Sequence, residues 1–242
     1  MTASPLPTTG QVHIYCLTLP QNPSEVSYYE RFLSAPETAR ACSLKIHQVR
    51  NRFIAGRGLL REILGGYLAI EPENVPITIE EHGKPFLSGC TENLRFNLSH
   101  AEELLLLAVA ADLEIGIDIE KIETDKPLKD MASIAMSRRE QDEIFILSSS
   151  SLQAAAFYRC WVRKEACLKA CGKGFSLSSD SFDVSPLDED FHMRTIKCNN
   201  ACWNIIDINV PQGFCAALAV EARASSPLLP TPVRIAHRLS YS

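Results

Sequence analysis

Two short segments carry acidic and basic side chains at spacings that suit phosphate chemistry. In residues 116–120, Gly-Ile-Asp-Ile-Glu alternates apolar and acidic residues, as a half-buried β-strand does. Asp118 and Glu120 therefore point to the same face, about 6–7 Å apart along the strand. Residues 161–169 contain no Gly or Pro and are predicted to be helical. Trp161, Glu165 and Lys169 recur there at four-residue steps and share one side of the helix.

These three carboxylates and one ammonium could hold a divalent cation and an anionic substrate together. Mg²⁺ prefers oxygen ligands and is usually bound through one or two carboxylates plus substrate phosphates. Asp118 and Glu120 fit that role, with Glu165 as a third ligand or a base, while Lys169 could neutralise phosphoryl charge. The alternative is structural: exposed acids on an edge strand, and an ordinary i,i+4 salt bridge between Glu165 and Lys169.

Two further segments have the character of ligand-binding loops. Residues 82–86, His-Gly-Lys-Pro-Phe, place Lys84 in a tight turn, where its ammonium could meet a phosphate or a nucleotide. Residues 96–100, Phe-Asn-Leu-Ser-His, end a strand with the hydrogen-bonding groups of Ser99 and His100. Taken singly, each segment is better explained by a structural role, and no third member of a catalytic triad has a recognisable spacing.

Charge is distributed unevenly along the chain. The formal net charge of −5 disfavours general nucleic-acid binding. Residues 31–61 nevertheless hold seven Lys or Arg against one acid, Glu37, which suits an anionic ligand or partner. The alternative is a solvated, Arg-rich helix face, since Arg50, Arg57 and Arg61 lie at steps of seven and four.

Composition predicts an ordinary globular protein without a membrane span. Hydrophobic residues make up 46% of the 242 residues and charged residues 22%. The N-terminus has no secretory pattern, and the longest apolar run, Leu104–Ala111, is too short to cross a bilayer, so we expect a cytoplasmic protein. The nine cysteines are then expected to be reduced. The C-x3-C pairs at 167–171 and 198–202 could form a zinc site, but buried apolar thiols are the simpler interpretation.

Periodicity and turn residues predict the order of elements and two halves. A strand near 12–17 is followed by a helix over 49–68 and strands near 77–80 and 94–98. A buried strand over Leu104–Ala111 then forms a hairpin with the strand Ile115–Lys121. Ser137 begins a short helix through a capping box, and a long helix over 152–170 ends at Gly172 and Gly174. Strands near 182, 203–208 and 214–220 follow. We expect a first subdomain over 1–111, a second over 112–224, and a peripheral tail over 225–242.

The motifs taken together resemble one enzyme family. Arg-Phe-Ile-Ala-Gly-Arg (52–57), Gly-Lys-Pro (83–85), Phe-Asn-Leu-Ser-His (96–100), Gly-Ile-Asp-Ile-Glu (116–120) and Trp-x-x-Lys-Glu-Ala-x-x-Lys (161–169) resemble, in this order, the 4′-phosphopantetheinyl transferases of the surfactin-synthetase-activating (Sfp) type. The resemblance implies an α+β fold in which two similar α/β subdomains are related by a pseudo-twofold axis. Coenzyme A would bind in the cleft between them. Its phosphopantetheine arm would pass to a serine of an apo acyl or peptidyl carrier protein, releasing 3′,5′-ADP.

The resemblance also implies roles for individual residues. It implies that magnesium, or manganese, is held on the pyrophosphate by Asp118, Glu120 and Glu165. Glu165 would also be the base for the carrier serine, directly or through water, and Lys169 would balance charge on the reacting phosphate. The remaining coenzyme A contacts would come from Arg40, Arg52 and His100 at the 3′-phosphate, and from Lys84, Pro85 and Ser99 at the nucleotide and other phosphates.

Two other functions compete with this interpretation. A magnesium-dependent phosphodiesterase would hydrolyse coenzyme A with water and need no protein acceptor. A non-enzymatic coenzyme A-binding module would bind tightly without turnover. Five ordered motifs argue against both, and the resemblance favours a monomer because the two subdomains supply the whole cleft. The identity of the carrier proteins stays open.

Overall fold

The computed structural model describes residues 4–80, 83–89, 93–172, 178–187, 193–223 and 229–230 of the chain. Helices and mainly antiparallel strands are mixed along the sequence, so the predicted α+β class is confirmed. No helix within these ranges is both long and apolar enough to cross a membrane.

The first half of the chain supplies five strands and three helices. The strands are β1 (Gln11–Thr18), β2 (Ile77–Ile79), β3 (Pro85–Leu87), β4 (Leu94–Ala101) and β5 (Leu104–Ala111). The helices are α1 (Pro23–Glu30), α2 (Ala35–Ser43) and α3 (His47–Leu68). The strand near 12–17 and the helix over 49–68 are therefore confirmed, whereas α1 and α2 were not predicted.

The second half supplies the remaining strands and helices. The strands are β6 (Ile115–Lys121), β7 (Arg194–Cys198), β8 (Ala201–Asp207), β9 (Phe214–Glu221) and β10 (Leu229–Pro230). The helices are α4 (Leu128–Ala135), α5 (Arg138–Phe145) and α6 (Ser150–Cys171). The capping box at Ser137 is present, and α6 ends at Gly172 with the left-handed backbone that favours glycine. Gly174 lies outside the described residues.

The strands form two four-stranded sheets, and this arrangement contradicts the predicted hairpin. The first sheet has the order β10-β1-β5-β4 and the second β6-β9-β8-β7, while β2 and β3 form a separate ribbon. Consecutive strands β5 and β6 thus belong to different sheets. The apolar run of β5 arises because one face packs on α3 and the other on the second sheet. The expected peripheral tail contributes β10, which pairs in parallel with β1 at the edge of the first sheet.

A shared apolar core holds the two sheets together. Ile115, Ile117 and Ile119 of β6 are fully buried or nearly so, and they pack with residues of β1, β5 and β9. Because side chains alternate along a strand, Asp118 and Glu120 lie on the opposite face, toward α6. The apolar–acidic alternation therefore reflects a strand between a core and a helix.

Gly116 allows α6 to pack closely on β6. A Cβ atom at Gly116 would lie 2.1 Å from the carbonyl oxygen of Ala166 and 2.4 Å from the backbone nitrogen of Ala170. Any larger residue would push the helix away from the strand. The glycine thus sets the short separation between the acids on β6 and the side chains of α6.

The strand expected near Phe182 is absent from the described residues around it. A 3₁₀ turn, Ser179–Ser181, precedes Phe182 instead. The buried ammonium of Lys164 accounts for the irregular backbone, because it binds the carbonyl oxygens of Ser179 (2.7 Å) and Phe182 (2.5 Å).

Candidate active site

Asp118 and Lys169 form the centre of the site, where β6 faces α6. Nζ of Lys169 lies 2.7 Å from Oδ1 of Asp118 and 3.3 Å from the carbonyl oxygen of Ile117. Side-chain exposure is 5% for Asp118 and 29% for Lys169. The ion pair of Lys169 thus joins two elements, unlike the i,i+4 pair with Glu165 that the structural alternative assumed.

Glu120 and Glu165 lie in the electrostatic field of Asp118. Burial, followed by the charge of Asp118, raises the pKa of Glu120 to about 7. Lys169 and a hydrogen bond from the Trp161 indole partly oppose that rise. Burial and Asp118 also raise the pKa of Glu165. The three acids therefore repel one another, and the ammonium of Lys169 partly offsets that repulsion.

The acids suit a divalent cation by donor type and by charge. Oδ2 of Asp118 is buried and has no hydrogen-bond partner among the residues that the structure describes. An unpartnered buried carboxylate oxygen, beside two carboxyls with raised pKa values, is the environment that a hard cation would relieve. As they stand, no three His, Cys, Asp or Glu side chains in the described ranges are arranged to hold a metal ion.

Ser99 joins this centre from the first sheet, whereas His100 does not contact it. Oγ of Ser99 donates to Oδ1 of Asp118 (2.8 Å) and accepts from Nζ of Lys169 (2.9 Å). His100, the next residue of β4, has an exposed side chain on the other face of the strand. The two halves of the chain therefore meet in a network of Ser99, Asp118 and Lys169.

Arg52 and Arg40 lie at separate places on the first half. Nη2 of Arg52 donates to Oε2 of Glu102 at 2.8 Å, in the turn between β4 and β5. Nε of Arg52 is buried and finds no hydrogen-bond partner in the described part of the chain. Arg40 lies in the last turn of α2 with its side chain exposed. A 3′-phosphate contact by either arginine, or by His100, stays a prediction.

Lys84 and Pro85 lie on the β2–β3 ribbon. Nζ of Lys84 is within 3.5 Å of Oε2 of Glu114, 3.3 Å of the carbonyl oxygen of Ile115 and 3.4 Å of that of Ala170. Lys84 thus links the ribbon to the start of β6 and to the C-terminal end of α6. Its predicted contact with a nucleotide, and that of Pro85, stay predictions.

The alternative of a solvated arginine face on α3 is wrong for Arg61 and Arg57, whereas Arg50 is partly exposed. Arg61 is 2% exposed and binds Glu37 (2.7 Å) together with the carbonyl oxygens of Pro72, Glu73 and Val75. Nη1 of Arg57 is buried without a hydrogen-bond partner among the described residues, and burial lowers its pKa. Arg57 is therefore a candidate ligand for an anion, although its spacing in the sequence had suggested an exposed side chain. Glu37 is the one acid of the basic segment and pairs with Arg57 and Arg61. It was the only residue in that segment that could have indicated a buried ion pair on this face.

The cysteine pairs do not form the zinc site that their spacing allowed. Sγ of Cys171 and Sγ of Cys198 are 3.8 Å apart, whereas Cys202 is exposed. Cys167 and Cys198 are buried, as expected for small apolar side chains.

Comparison with known proteins assigns this arrangement to a family. Residues 21–112 match the N-terminal region of 4′-phosphopantetheinyl transferases, and residues 114–219 match the 4′-phosphopantetheinyl transferase superfamily. The chain is 36% identical to the 4′-phosphopantetheinyl transferase HetI of Nostoc over 88% of its length and 89% of the relative's. It is 31% identical to the 4′-phosphopantetheinyl transferase Sfp of Bacillus subtilis, over 64% of this chain and 68% of that one. The chain therefore belongs to the 4′-phosphopantetheinyl transferase superfamily and is a transferase of that group.

Proposed function

We propose that the protein transfers 4′-phosphopantetheine from coenzyme A to a serine hydroxyl of an apo acyl or peptidyl carrier protein and releases 3′,5′-ADP. The reaction would depend on Mg²⁺ or Mn²⁺. The observation that carries this proposal is the contact of Ser99, Asp118 and Lys169 between the two halves, beside two carboxyls with raised pKa values. Coenzyme A, with a pyrophosphate and a 3′-phosphate, matches both the acid cluster and the separate basic segment.

Asp118, Glu120 and Glu165 would hold the metal ion. Mg²⁺ supplies charge neutralisation and orientation of the pyrophosphate when it is bound. The donor set is all carboxylate, as this ion prefers, and the buried Oδ2 of Asp118 is available to it. Lys169, held by Ser99 and Asp118, would place its ammonium beside the phosphate that reacts.

Glu165 is the proposed general base. A carboxyl with a raised pKa is a better proton acceptor than an ordinary one, and Glu165 is close enough to Asp118 and Glu120 for their charges to interact. Glu165 would accept the proton of the carrier serine while the serine oxygen forms a bond to the phosphorus of the phosphopantetheine phosphate. The bond from that phosphorus to the bridging oxygen then breaks, and 3′,5′-ADP leaves with the electron pair.

The basic segment of the first half would serve the nucleotide and the carrier. Arg52 and His100, with Arg40, are proposed to bind the 3′-phosphate, and Lys84, Pro85 and Ser99 are proposed to complete the nucleotide and phosphate contacts. The buried, unpartnered Nε of Arg52 supports the first of these roles. The family resemblance implies acidic carrier proteins, so the exposed cations of this segment would also favour their docking.

We further propose an Sfp-type architecture: subdomains over 1–111 and 112–224 with a tail, related by a pseudo-twofold axis, in a cytoplasmic monomer. In its support, each half contributes most of a mainly antiparallel sheet and a 22-residue helix, α3 or α6, packed on one face of it.

The decisive experiment is intact-protein mass spectrometry of an apo acyl carrier protein after incubation with this protein, coenzyme A and Mg²⁺. We expect a gain of one phosphopantetheinyl group, lost with EDTA and with Glu165→Gln but retained with the exposed control Glu71→Gln. Cleavage of coenzyme A without modification of fatty-acid, polyketide or peptidyl carriers would favour the phosphodiesterase. Coenzyme A that binds but stays intact would favour the binding module.

A further inference from the structure

The two sheets meet at their edge strands. β4 is the last strand of the first sheet and β6 is the first strand of the second. The two strands pack against each other, yet among the described residues they form no backbone ladder. The peptide groups of β6 that point toward β4 therefore need other partners, because an unpaired buried N–H is costly.

Side chains satisfy these edge groups at Ile117. The backbone N–H of Ile117 donates to Oδ1 of Asn97 on β4 at 2.8 Å. The carbonyl oxygen of Ile117 accepts from Nζ of Lys169 at 3.3 Å. Asn97 is 4% exposed and Ile117 is fully buried, so water does not compete for the amide bond. Asn97 thus provides the hydrogen-bond acceptor that a neighbouring strand would otherwise provide for the Ile117 amide.

Asn97 and Ser99 act on adjacent residues of the same strand. Both side chains lie on one face of β4, two residues apart. Asn97 holds the backbone of Ile117, while Ser99 donates to the carboxylate of Asp118 at 2.8 Å. The first bond therefore fixes how far β6 is shifted along β4, and the second depends on that shift.

We propose that Asn97 is a positioning residue, which holds Ile117 so that the Asp118 carboxylate faces Ser99 and Lys169. This inference rests on the proposed function, in which Asp118 holds the metal ion. An amide suits the position because it accepts a hydrogen bond without bringing a charge that would compete with Asp118 for Lys169. A shift of β6 along β4 would carry the Asp118 carboxylate away from Ser99, so the bond at Ile117 keeps these two side chains opposite each other.

Asn97→Leu tests the proposal, because leucine has a similar size and no acceptor. We expect faster hydrogen exchange at the Ile117 amide, a Mn²⁺ affinity at least tenfold weaker, and a kcat about 10–100-fold lower. Asn97→Asp keeps an acceptor and should retain protection of Ile117. Ile54→Val, a small deletion in the buried part of α3, controls for a general loss of stability and should leave exchange and Mn²⁺ affinity unchanged.

Three readouts separate the outcomes. An Asn97→Leu protein with a protected Ile117 amide and wild-type Mn²⁺ affinity would overturn the proposal. If Asn97→Leu does not fold, Asn97→Ser replaces it, because the shorter serine side chain cannot reach the Ile117 amide. Normal hydrogen exchange at Ile117 in Asn97→Ser would also contradict the proposal. If the wild-type protein binds Mn²⁺ but modifies no carrier, the proposed function fails, while exchange and Mn²⁺ affinity still decide whether Asn97 positions Asp118.

Discussion

Lys169 and Asp118 pair at 2.7 Å although 51 residues separate them in sequence. The pair keeps one carboxylate of the cluster compensated, while burial and mutual repulsion raise the pKa values of Glu120 and Glu165. One face of β6 thus combines a carboxylate paired with an ammonium, Asp118, and an acid that gains a proton easily, Glu120. The pair is also the direct link between the strand and the helix that carry the proposed metal ligands.

Asp118→Asn should abolish transfer without unfolding the protein. Asparagine keeps the shape of the side chain and an acceptor for Ser99, and the partly exposed Lys169 ammonium can be hydrated, so the melting temperature should change by a few degrees at most. The loss of a carboxylate should lower the transfer rate at least 100-fold, as measured by mass spectrometry of the carrier protein. Asp112→Asn, in the exposed turn after β5, is the matched control. Normal activity of Asp118→Asn would remove Asp118 from the metal site.

Arg52→Ala and Glu102→Gln should change coenzyme A binding in opposite directions. Arg52 is paired with Glu102, whose pKa the arginine lowers, so the acid competes with any phosphate for the guanidinium. Removal of Arg52 should raise the Michaelis constant for coenzyme A roughly tenfold, and removal of the Glu102 charge should lower it by about two- to threefold. Steady-state kinetics give both values.

The 3′-dephospho form of coenzyme A is the control for that prediction. Both variants should leave its Michaelis constant within about twofold of the wild-type value, because the phosphate that Arg52 is expected to bind is absent. If the two variants affect both substrates equally, Arg52 does not bind the 3′-phosphate.

The sequence predicted the strand and the helix of the site because both carry strong local periodicity. β6 has the predicted bounds, and α6 differs from prediction by two residues at its start and one at its end. The predicted hairpin failed because an apolar run indicates burial but not the identity of the neighbouring strand. Lys164 and Arg163 are fully buried. Their burial could not be predicted, because it depends on partners that are distant in sequence.

The arginines of α3 also show that a local pattern does not identify distant partners. Charge and spacing placed Arg61 on a polar face, yet Glu37 and three backbone carbonyls outside the helix bind it within the fold. Short helices such as α1 were missed because their hydrophobic residues are too few to show a period. Asn97 could not be selected either, because its role depends on a backbone amide of another sheet.

The stability of the metal-free protein should depend on the protonation of Glu120. Its pKa is about 7 in the folded protein and about 4.5 in an unfolded chain, so folding favours the protonated carboxyl. The free energy of unfolding should therefore fall as pH rises from about 4.5 through about 7. Glu120→Gln should melt at a higher temperature than the wild type at pH 8 in EDTA, and the difference should disappear near pH 4.5.

Added Mg²⁺ provides the control for this prediction. It should stabilise the wild-type protein more at pH 8 than at pH 6, because protons compete for Glu120. It should stabilise Glu120→Gln less at either pH, whereas the exposed Glu71→Gln should follow the wild type. If Glu120→Gln and the wild type have the same melting temperature from pH 5 to pH 8, ionisation of Glu120 does not destabilise the folded protein.

Lys164 and Glu140 form a buried pair behind the site, on a different side of α6 from Glu165. Their charged atoms are 2.8 Å apart, and the two side chains are at most 2% exposed. Glu140 also accepts from the backbone of Ser137 and Val184. Lys164→Met should lower the free energy of unfolding by about 3–5 kcal/mol, because it leaves a buried carboxylate without its ammonium. Urea unfolding measures the change.

The double variant Lys164→Met with Glu140→Gln should recover about 1–2 kcal/mol of that loss, since the glutamine keeps an acceptor and removes the unpaired charge. Lys129→Met, at an exposed lysine near the Phe145 ring, should stay within about 0.5 kcal/mol of the wild type. A double variant less stable than Lys164→Met would show that the hydrogen bonds of the Glu140 carboxylate outweigh its charge. A Lys164→Met protein as stable as the wild type would show that the pair does not anchor α6.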